Sequence, residues 1–209
     1  MPSSTEEFWG GEFGDEYTAR NTGEKIVQSN TELFRKALDG ISDIESVIEF
    51  GANRGLNIEA LKRLFPDRPL ELAAIEINKT AAESLRKIGG VDVTVGSFLD
   101  FKIGKHYDLS LSKGVLIHIN PADLQKAYER LYEASKRFIL IVEYFNPTPV
   151  EINYRGFKGK LWKRDFCGEM LDLYPDLQLI RYGFVYSRDP VAPLDNVNWF
   201  LMSKGQHQP

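Results

Sequence analysis

Apolar residues return along this chain in two alternating rhythms. From about residue 24 to 145, short continuous apolar runs exchange places with longer stretches whose apolar positions recur every three or four residues. Residues 24 to 39 put Ile26, Val27, Leu33, Phe34, Ala37 and Leu38 on helical spacing, and Gly40 stops them. Runs at about 46–50, 71–77, 91–95, 107–111 and 138–145 read as strands. The helix after the first run carries Ala60, Leu61, Leu64 and Phe65 and ends at Pro66. Asn78 caps the next helix, which passes through Leu85 and Ile88 and closes at Gly89 and Gly90. A longer helix is predicted over 121–136. Strands and helices in alternation predict an α/β fold, its parallel strands joined by right-handed helical crossovers. The end of the chain breaks the rhythm. Leu177 to Ser187 and Asn196 to Ser203 are both strand-like, with a Pro-containing turn and no helix between them, which predicts a terminal antiparallel hairpin.

The most informative stretch is Glu49-Phe50-Gly51-Ala52-Asn53-Arg54-Gly55 at the end of the first strand, followed at Glu76 by a carboxylate ending the second. Glycine turns sharply without a Cβ, so backbone N–H groups and a helix N-terminus can approach a ligand. A carboxylate on the next strand tip can accept both hydrogen bonds of a ribose diol. A dinucleotide fingerprint fails at Asn53 and Leu56, and a phosphate-binding P-loop fails because Leu56-Asn57 stand where Lys and Ser or Thr belong. The remaining pattern, Glu49-x-Gly51-x-x-x-Gly55, resembles motif I of the class I S-adenosylmethionine (SAM) dependent methyltransferases, with Asn53 at the middle glycine. Asparagine tolerates a left-handed backbone better than most residues, so the loop conformation is expected to survive. The resemblance implies a doubly wound, mostly parallel seven-stranded sheet with a final antiparallel strand pair, and SAM as cofactor with S-adenosylhomocysteine (SAH) as product.

Composition narrows the setting. The 209 residues, 43% hydrophobic and 27% charged, suffice for one substantial core. A net charge of −4 disfavours a nucleic acid held mainly through its phosphates. One cysteine, Cys167, excludes an intrachain disulfide, and three histidines with it give no zinc spacing, so no metal is expected. The longest apolar run, Phe138 to Val142, is too short to span a bilayer, and Met1 to Glu7 lack the basic start and apolar middle of a signal peptide. A cytoplasmic enzyme with a small-molecule acceptor is the expectation.

Ligands of open parallel sheets sit beyond the C-terminal strand ends, which selects the candidate residues. The first strand delivers the glycine loop, and the second delivers Glu76, with Ile77 placed to cover an adenine face. The third ends at Ser97-Phe98, a hydroxyl for the adenine amine and a ring for the base, where many relatives of the fold carry aspartate in place of Ser97. The fourth ends at Ser112-Lys113, beside the methionine moiety in this fold. The segment Phe8 to Asn21 looks like an aromatic lid in which Arg20 pairs with the cofactor carboxylate, while its rings also staple it to the core. His118 and Glu143 are the available bases, and His118 also reads as a helix-entry residue bonded to backbone.

Phe8-Trp9, Tyr17-x-x-Arg20-Asn21, Glu49-x-Gly51, His118-Ile119, Glu143-Tyr144-x-Asn146-Pro147, Tyr154-Arg155-Gly156 and Lys163-Arg164-Asp165-Phe166 together resemble the methylases associated with pseudaminic-acid biosynthesis. That resemblance spans nearly the whole chain and implies methyl transfer to N or O of a small polar acceptor such as an amino sugar. It divides one methyltransferase domain, 1–209, into a lid and helix (1–40), a SAM-binding core (41–145), an acceptor-pocket segment (146–176) and a hairpin (177–209). His118, Glu143 and Tyr17 are the expected catalytic groups, and Tyr144, Asn146, Tyr154, Arg155 and Arg164 the expected acceptor contacts. An RNA or protein methyltransferase, a noncatalytic SAM-binding module and a nicotinamide-dependent oxidoreductase are the competing readings; Leu56 argues against the last.

Overall fold

The computed structural model describes residues 4–205. Two short helices, α1 (Ser4–Gly10) and α2 (Glu12–Arg20), precede the amphipathic α3 (Glu24–Ala37). The alternating part follows: β1 (Ser46–Phe50), α4 (Leu56–Leu64), β2 (Glu71–Glu76), α5 (Lys79–Arg86), β3 (Val91–Val95), β4 (Tyr107–Lys113), α6 (Leu124–Ala134) and β5 (Ser135–Glu143). A two-strand ribbon, β6 (Val150–Glu151) with β7 (Trp162–Lys163), then leads through α7 (Phe166–Leu173) to β8 (Leu177–Val185) and β9 (Val197–Lys204).

Seven strands form one sheet in the order β3-β2-β1-β4-β5-β9-β8. The first five are parallel, and β9 inserts antiparallel between β5 and β8. The predicted doubly wound sheet and terminal hairpin are both present. Their apolar runs are continuous because helices cover both faces. Val47, Leu109, Leu111, Leu140 and Val142 pack toward α3 and α4, while the alternate residues Ile48, Phe50, Ile139 and Ile141 pack toward α6 and α7. Among the described residues no helix is long and apolar enough to cross a membrane.

Boundaries moved where side chains bond to backbone. Asn78 does cap α5, its side chain accepting from Ala81 N at 2.8 Å. The helix predicted over 121–136 starts instead as a 3-10 turn, Pro121–Asp123, with the Asn120 side chain accepting from Ala122 N. It ends at Ala134, so β5 begins three residues earlier than expected, where Ser135 pairs with Tyr107 and its hydroxyl donates to Phe138 O at 2.8 Å. The same strand ends at Glu143 because Phe145 has left the sheet to bridge Arg164.

Strand order reverses at β1, which has β2 on one side and β4 on the other. Both neighbours' crossovers lead away from it, and the crevice at their C-terminal ends is where such sheets place ligands.

Candidate active site

A cavity of about 430 Å³ opens in that crevice, within the range of small-molecule sites. Its floor is the loop after β1. Gly51 turns there at φ 75°, and a Cβ on it would lie 2.5 Å from Val115 Cγ2, so the close approach of the two loops depends on glycine. Gly51 N and Ala52 N donate to Ile75 O at 2.8 and 3.1 Å, tying the loop to β2.

Asn53 sits at φ 47°, the left-handed conformation expected of it, and its side chain accepts from Arg54 N at 2.7 Å. Its own N–H donates to Glu76 Oε2 at 2.6 Å, while Asn78 N donates to Oε1 at 2.8 Å. One carboxylate thus clamps both loops. Glu76 is only 6% exposed; burial pushes its pKa up, and the Asn78 and Asn53 N–H bonds pull it back. Each oxygen keeps further acceptor capacity. Asn53→Gly is expected to preserve nucleoside binding, whereas Asn53→Val should weaken it about tenfold or more, because a β-branched residue fits poorly at positive φ. Calorimetry with SAH on the two variants decides this: equal affinities would show that the conformation of Asn53 does not govern the site.

Toward β4 the cavity wall becomes ionic. Lys113 lines it, its pKa lowered by burial and pulled upward by Glu49, Asp195 and Glu143. Glu49 lies one layer beneath, fully buried, accepting from Asn57 Nδ2 at 2.5 Å, and it is Asn57 that reaches the wall. Glu143 accepts from Val115 N and Leu116 N at 3.0 Å each and from the Ser112 hydroxyl at 3.5 Å. Burial pushes both glutamates up to about 7. Glu49 Oε2, Glu143 Oε2 and Asn57 Oδ1 are buried acceptors without a protein partner.

The Glu143 geometry is that of an anchor for the 113–116 loop. Its proton release has a definite effect on stability. Because its folded pKa lies near 7 against an ordinary 4.5, the folded protein keeps a proton that the unfolded chain releases, so stability falls as pH rises through this window. Glu143→Gln retains an acceptor for Val115 N and Leu116 N and abolishes the titration. Thermal unfolding from pH 4.5 to 8 should show the variant gaining on wild type by roughly 3 kcal/mol across the window. A difference that stays constant with pH rules out the buried titration.

The remaining wall is aromatic. His118, 9% exposed, has Nδ1 at 2.6 Å from Lys160 O, with the Trp9 ring 4.4 Å and the Tyr154 ring 5.0 Å away. A carbonyl can only accept, so Nδ1 carries the proton and Nε2 keeps its lone pair. Burial pulls the His118 pKa down to about 4. Tyr17, edge-on to Trp9 at 5.3 Å, is held protonated by burial. Tyr144, Tyr154 and Arg155 complete this side, with Arg155 at φ 52° on the tight turn closed by Tyr154 and Phe157.

The lid is stapled as well as lining the cavity. Asn78 Nδ2 donates to Asp15 Oδ1 at 2.9 Å and Trp9 O at 3.3 Å, and Lys160 Nζ donates to Ser4 O at 2.7 Å.

Six sequence candidates stand outside the cavity lining, each for a visible reason. Arg20 is exposed and directed to Glu16 at 3.5 Å. Arg164 is taken by Glu169 at 2.7 Å, which also accepts from the Tyr128 hydroxyl. The Asn146 amide turns back to Thr148 O at 2.5 Å. Gly55, at φ 93°, makes room for Leu85 of α5 and for Ile88 just beyond that helix. Ser112 serves Glu143, and Glu49 acts through Asn57. Phe98 does line the cavity, yet its ring is 6% exposed and stacked on Phe50 at 4.5 Å, which commits it to the core. Ile77 and Ser97 line the cavity as expected. Glu6, Asn57 and Asp195 also line it and had escaped sequence reasoning. Asn57, in the first turn of α4, could have been found by asking which side chain meets Glu49; Asp195 reaches the site because β9 inserts beside β5.

No family model and no curated protein matches the sequence. Solved structures do match the fold. The SAH-bound magnesium protoporphyrin IX methyltransferase from Synechocystis PCC 6803 is 11% identical with TM-score 0.68, covering 96% of this chain and 98% of that one. The N-methyltransferase NodS from Bradyrhizobium japonicum WM9, in complex with SAH, is 12% identical with TM-score 0.66, covering 89% and 90%. The 1,6-didemethyltoxoflavin-N1-methyltransferase from Burkholderia thailandensis, bound to 1,6-didemethyltoxoflavin and SAH, is 13% identical with TM-score 0.68, covering 93% and 85%. At such identities the shared property is the class I methyltransferase fold; function has to be argued from the site.

Proposed function

We propose that the chain is a SAM-dependent methyltransferase acting on N or O of a small polar acceptor. The observation that carries this reading is Glu76, a buried carboxylate on the tip of β2 clamped to the left-handed Asn53 loop, in the crevice where the strand order reverses. The donor set fits the cofactor. Glu76 would hold the ribose, Lys113 the methionine carboxylate, and Asn57 with Glu143 would supply acceptors for an ammonium group.

When bound, SAM supplies an electrophilic methyl on a sulfonium. The protein's part is to align the acceptor, exclude water and take a proton. Alignment is the largest of these, worth on the order of 7–11 kcal/mol for well-placed reactants. Trp9, Tyr17 and Tyr154 enclose the acceptor side and keep water out. His118 Nε2 is the lone pair available there to receive the acceptor's proton, while Glu143 positions the loop that carries Val115 and Leu116. Arg155 faces the polar acceptor from the 146–176 segment. An amino sugar or a metabolite of nonulosonic-acid biosynthesis is the acceptor class we favour, on the motifs from Glu143 to Phe166.

Calorimetry with SAM, SAH and NAD tests the cofactor, and a metabolite screen for SAM-dependent methylated products tests the acceptor. NAD binding without SAH binding overturns the reading. Tight SAH binding with no acceptor methylated, amino sugars included, turns it into a noncatalytic SAM-binding module.

A further inference from the structure

We infer that Arg155 selects an anionic acceptor, a sugar-like molecule whose carboxylate or phosphate seats on the guanidinium; this deepens the methyltransferase reading above and rests on it. Among the described residues two permanent cations, Lys113 and Arg155, line the cavity. On that reading Lys113 is committed to the cofactor's carboxylate, which leaves Arg155 for the acceptor. Among the described residues its guanidinium has no ion-pair partner, and its ring contact is with Tyr154, the guanidinium carbon standing 5.9 Å from the centroid. Arg20 and Arg164, by contrast, are each paired with a glutamate.

The turn that carries Arg155 is tied down on both sides of it. Tyr154 N and Phe157 N each donate to the other residue's carbonyl at 2.9 Å, and Gly156 N donates to Asn153 Oδ1 at 2.9 Å. Arg155 is held there at φ 52°, a backbone that a long side chain rarely adopts. Such strain persists where the surrounding structure imposes it, and it collects at binding sites. The neighbours suit an oxygen-rich anion. Tyr17, Tyr144 and Tyr154 line the same cavity with no hydrogen-bond partner on their hydroxyls among the described residues, and burial holds Tyr17 and Tyr144 protonated, so both can donate. Asp195 acts on both of those tyrosines from the turn between β8 and β9, and its carboxylate repels a bare anion. The anionic group must therefore arrive with hydroxyl or amine donors for Asp195, as on a sugar acid or a sugar phosphate. Tyr154 also neighbours His118, at 5.0 Å between ring centroids, so one small molecule reaches from the proton-accepting lone pair to the anion seat.

The test titrates glucuronate, glucose 6-phosphate and glucose into the SAH-saturated protein by calorimetry; the three sugars differ only at the carbon that bears carboxylate, phosphate or hydroxyl. Wild type should bind at least one of the anions about ten- to a hundredfold more tightly than glucose, and the tighter of the two identifies the anionic group. Arg155→Asn removes the charge and keeps a residue that tolerates positive φ, so it should bring all three sugars within about threefold with SAH affinity unchanged. Arg155→Lys keeps the charge without the planar fork and should restore part of the preference. Wild type binding the anions no better than glucose, or Arg155→Asn retaining the wild-type preference, overturns the inference and leaves the cofactor reading standing. Failure of SAH to bind wild type overturns the cofactor reading, and this inference with it.

Discussion

Glu76→Ala is expected to lower SAH affinity at least about a hundredfold, because one carboxylate performs two tasks. It presents acceptors to the ribose, and it holds Asn53 N at 2.6 Å and Asn78 N at 2.8 Å, which fixes the loops after β1 and β2 relative to each other. A hydrogen bond to a charged group contributes about 1.5–3 kcal/mol, so losing the ribose contact alone accounts for roughly ten- to a hundredfold, and loosening the loops adds to it. Glu76→Gln is no rescue. Both oxygens accept from backbone N–H groups, and an amide would turn its own N–H toward one of them. The expectation is therefore Ala and Gln close together, both far weaker than wild type, with helical content by circular dichroism unchanged. Wild-type SAH affinity in Glu76→Ala removes the ribose assignment and the main support for the proposed function.

Glu76 and Asn53 were legible in the sequence because both obey local rules. A carboxylate at the end of an apolar run and an asparagine where a loop needs positive φ announce themselves without tertiary information. The sheet was legible for the same reason: burial on both faces writes continuous apolar runs, and it was their ends that were misplaced, by two residues at Lys113 and Val185 and by two or three at Glu143 and Ser135, where a side chain or a departing loop settled the bounds of β5. What sequence could not fix was the direction of long side chains. Arg20 and Arg164 looked like anion binders, yet each is turned to a glutamate on or beside its own helix, four or five residues away. Glu143 looked like a free base, and one of its oxygens, Oε1, instead accepts from the backbone of Val115 and Leu116, 28 and 27 positions distant. Glu6 and Asp195 are brought in by the lid and by strand insertion, which are facts of topology with no local signature.

That reassignment of Glu143 leaves His118 as the group whose loss should matter most to turnover. Lys160 O fixes the tautomer by accepting from Nδ1, and the Trp9 and Tyr154 rings fix the imidazole's tilt, so Nε2 is presented with little freedom. With the pKa pulled by burial to about 4, the ring is neutral across the physiological range. His118→Phe should cut turnover on an identified acceptor by about 10²–10⁴, the usual yield of general acid–base catalysis, with SAH affinity nearly unchanged. Wild-type turnover should lack the inflection near 6.5 that an ordinary histidine would impose. Stability gives an independent reading. Because the folded pKa lies below the ordinary 6.5, the unfolded chain takes up a proton that the folded protein refuses, and wild type should lose stability relative to His118→Phe as pH falls from 6.5 toward 4. If the stability difference follows that course while His118→Phe turns over like wild type, the imidazole is a buried structural neighbour of the lid, and the acceptor must give up its proton to water or arrive without one.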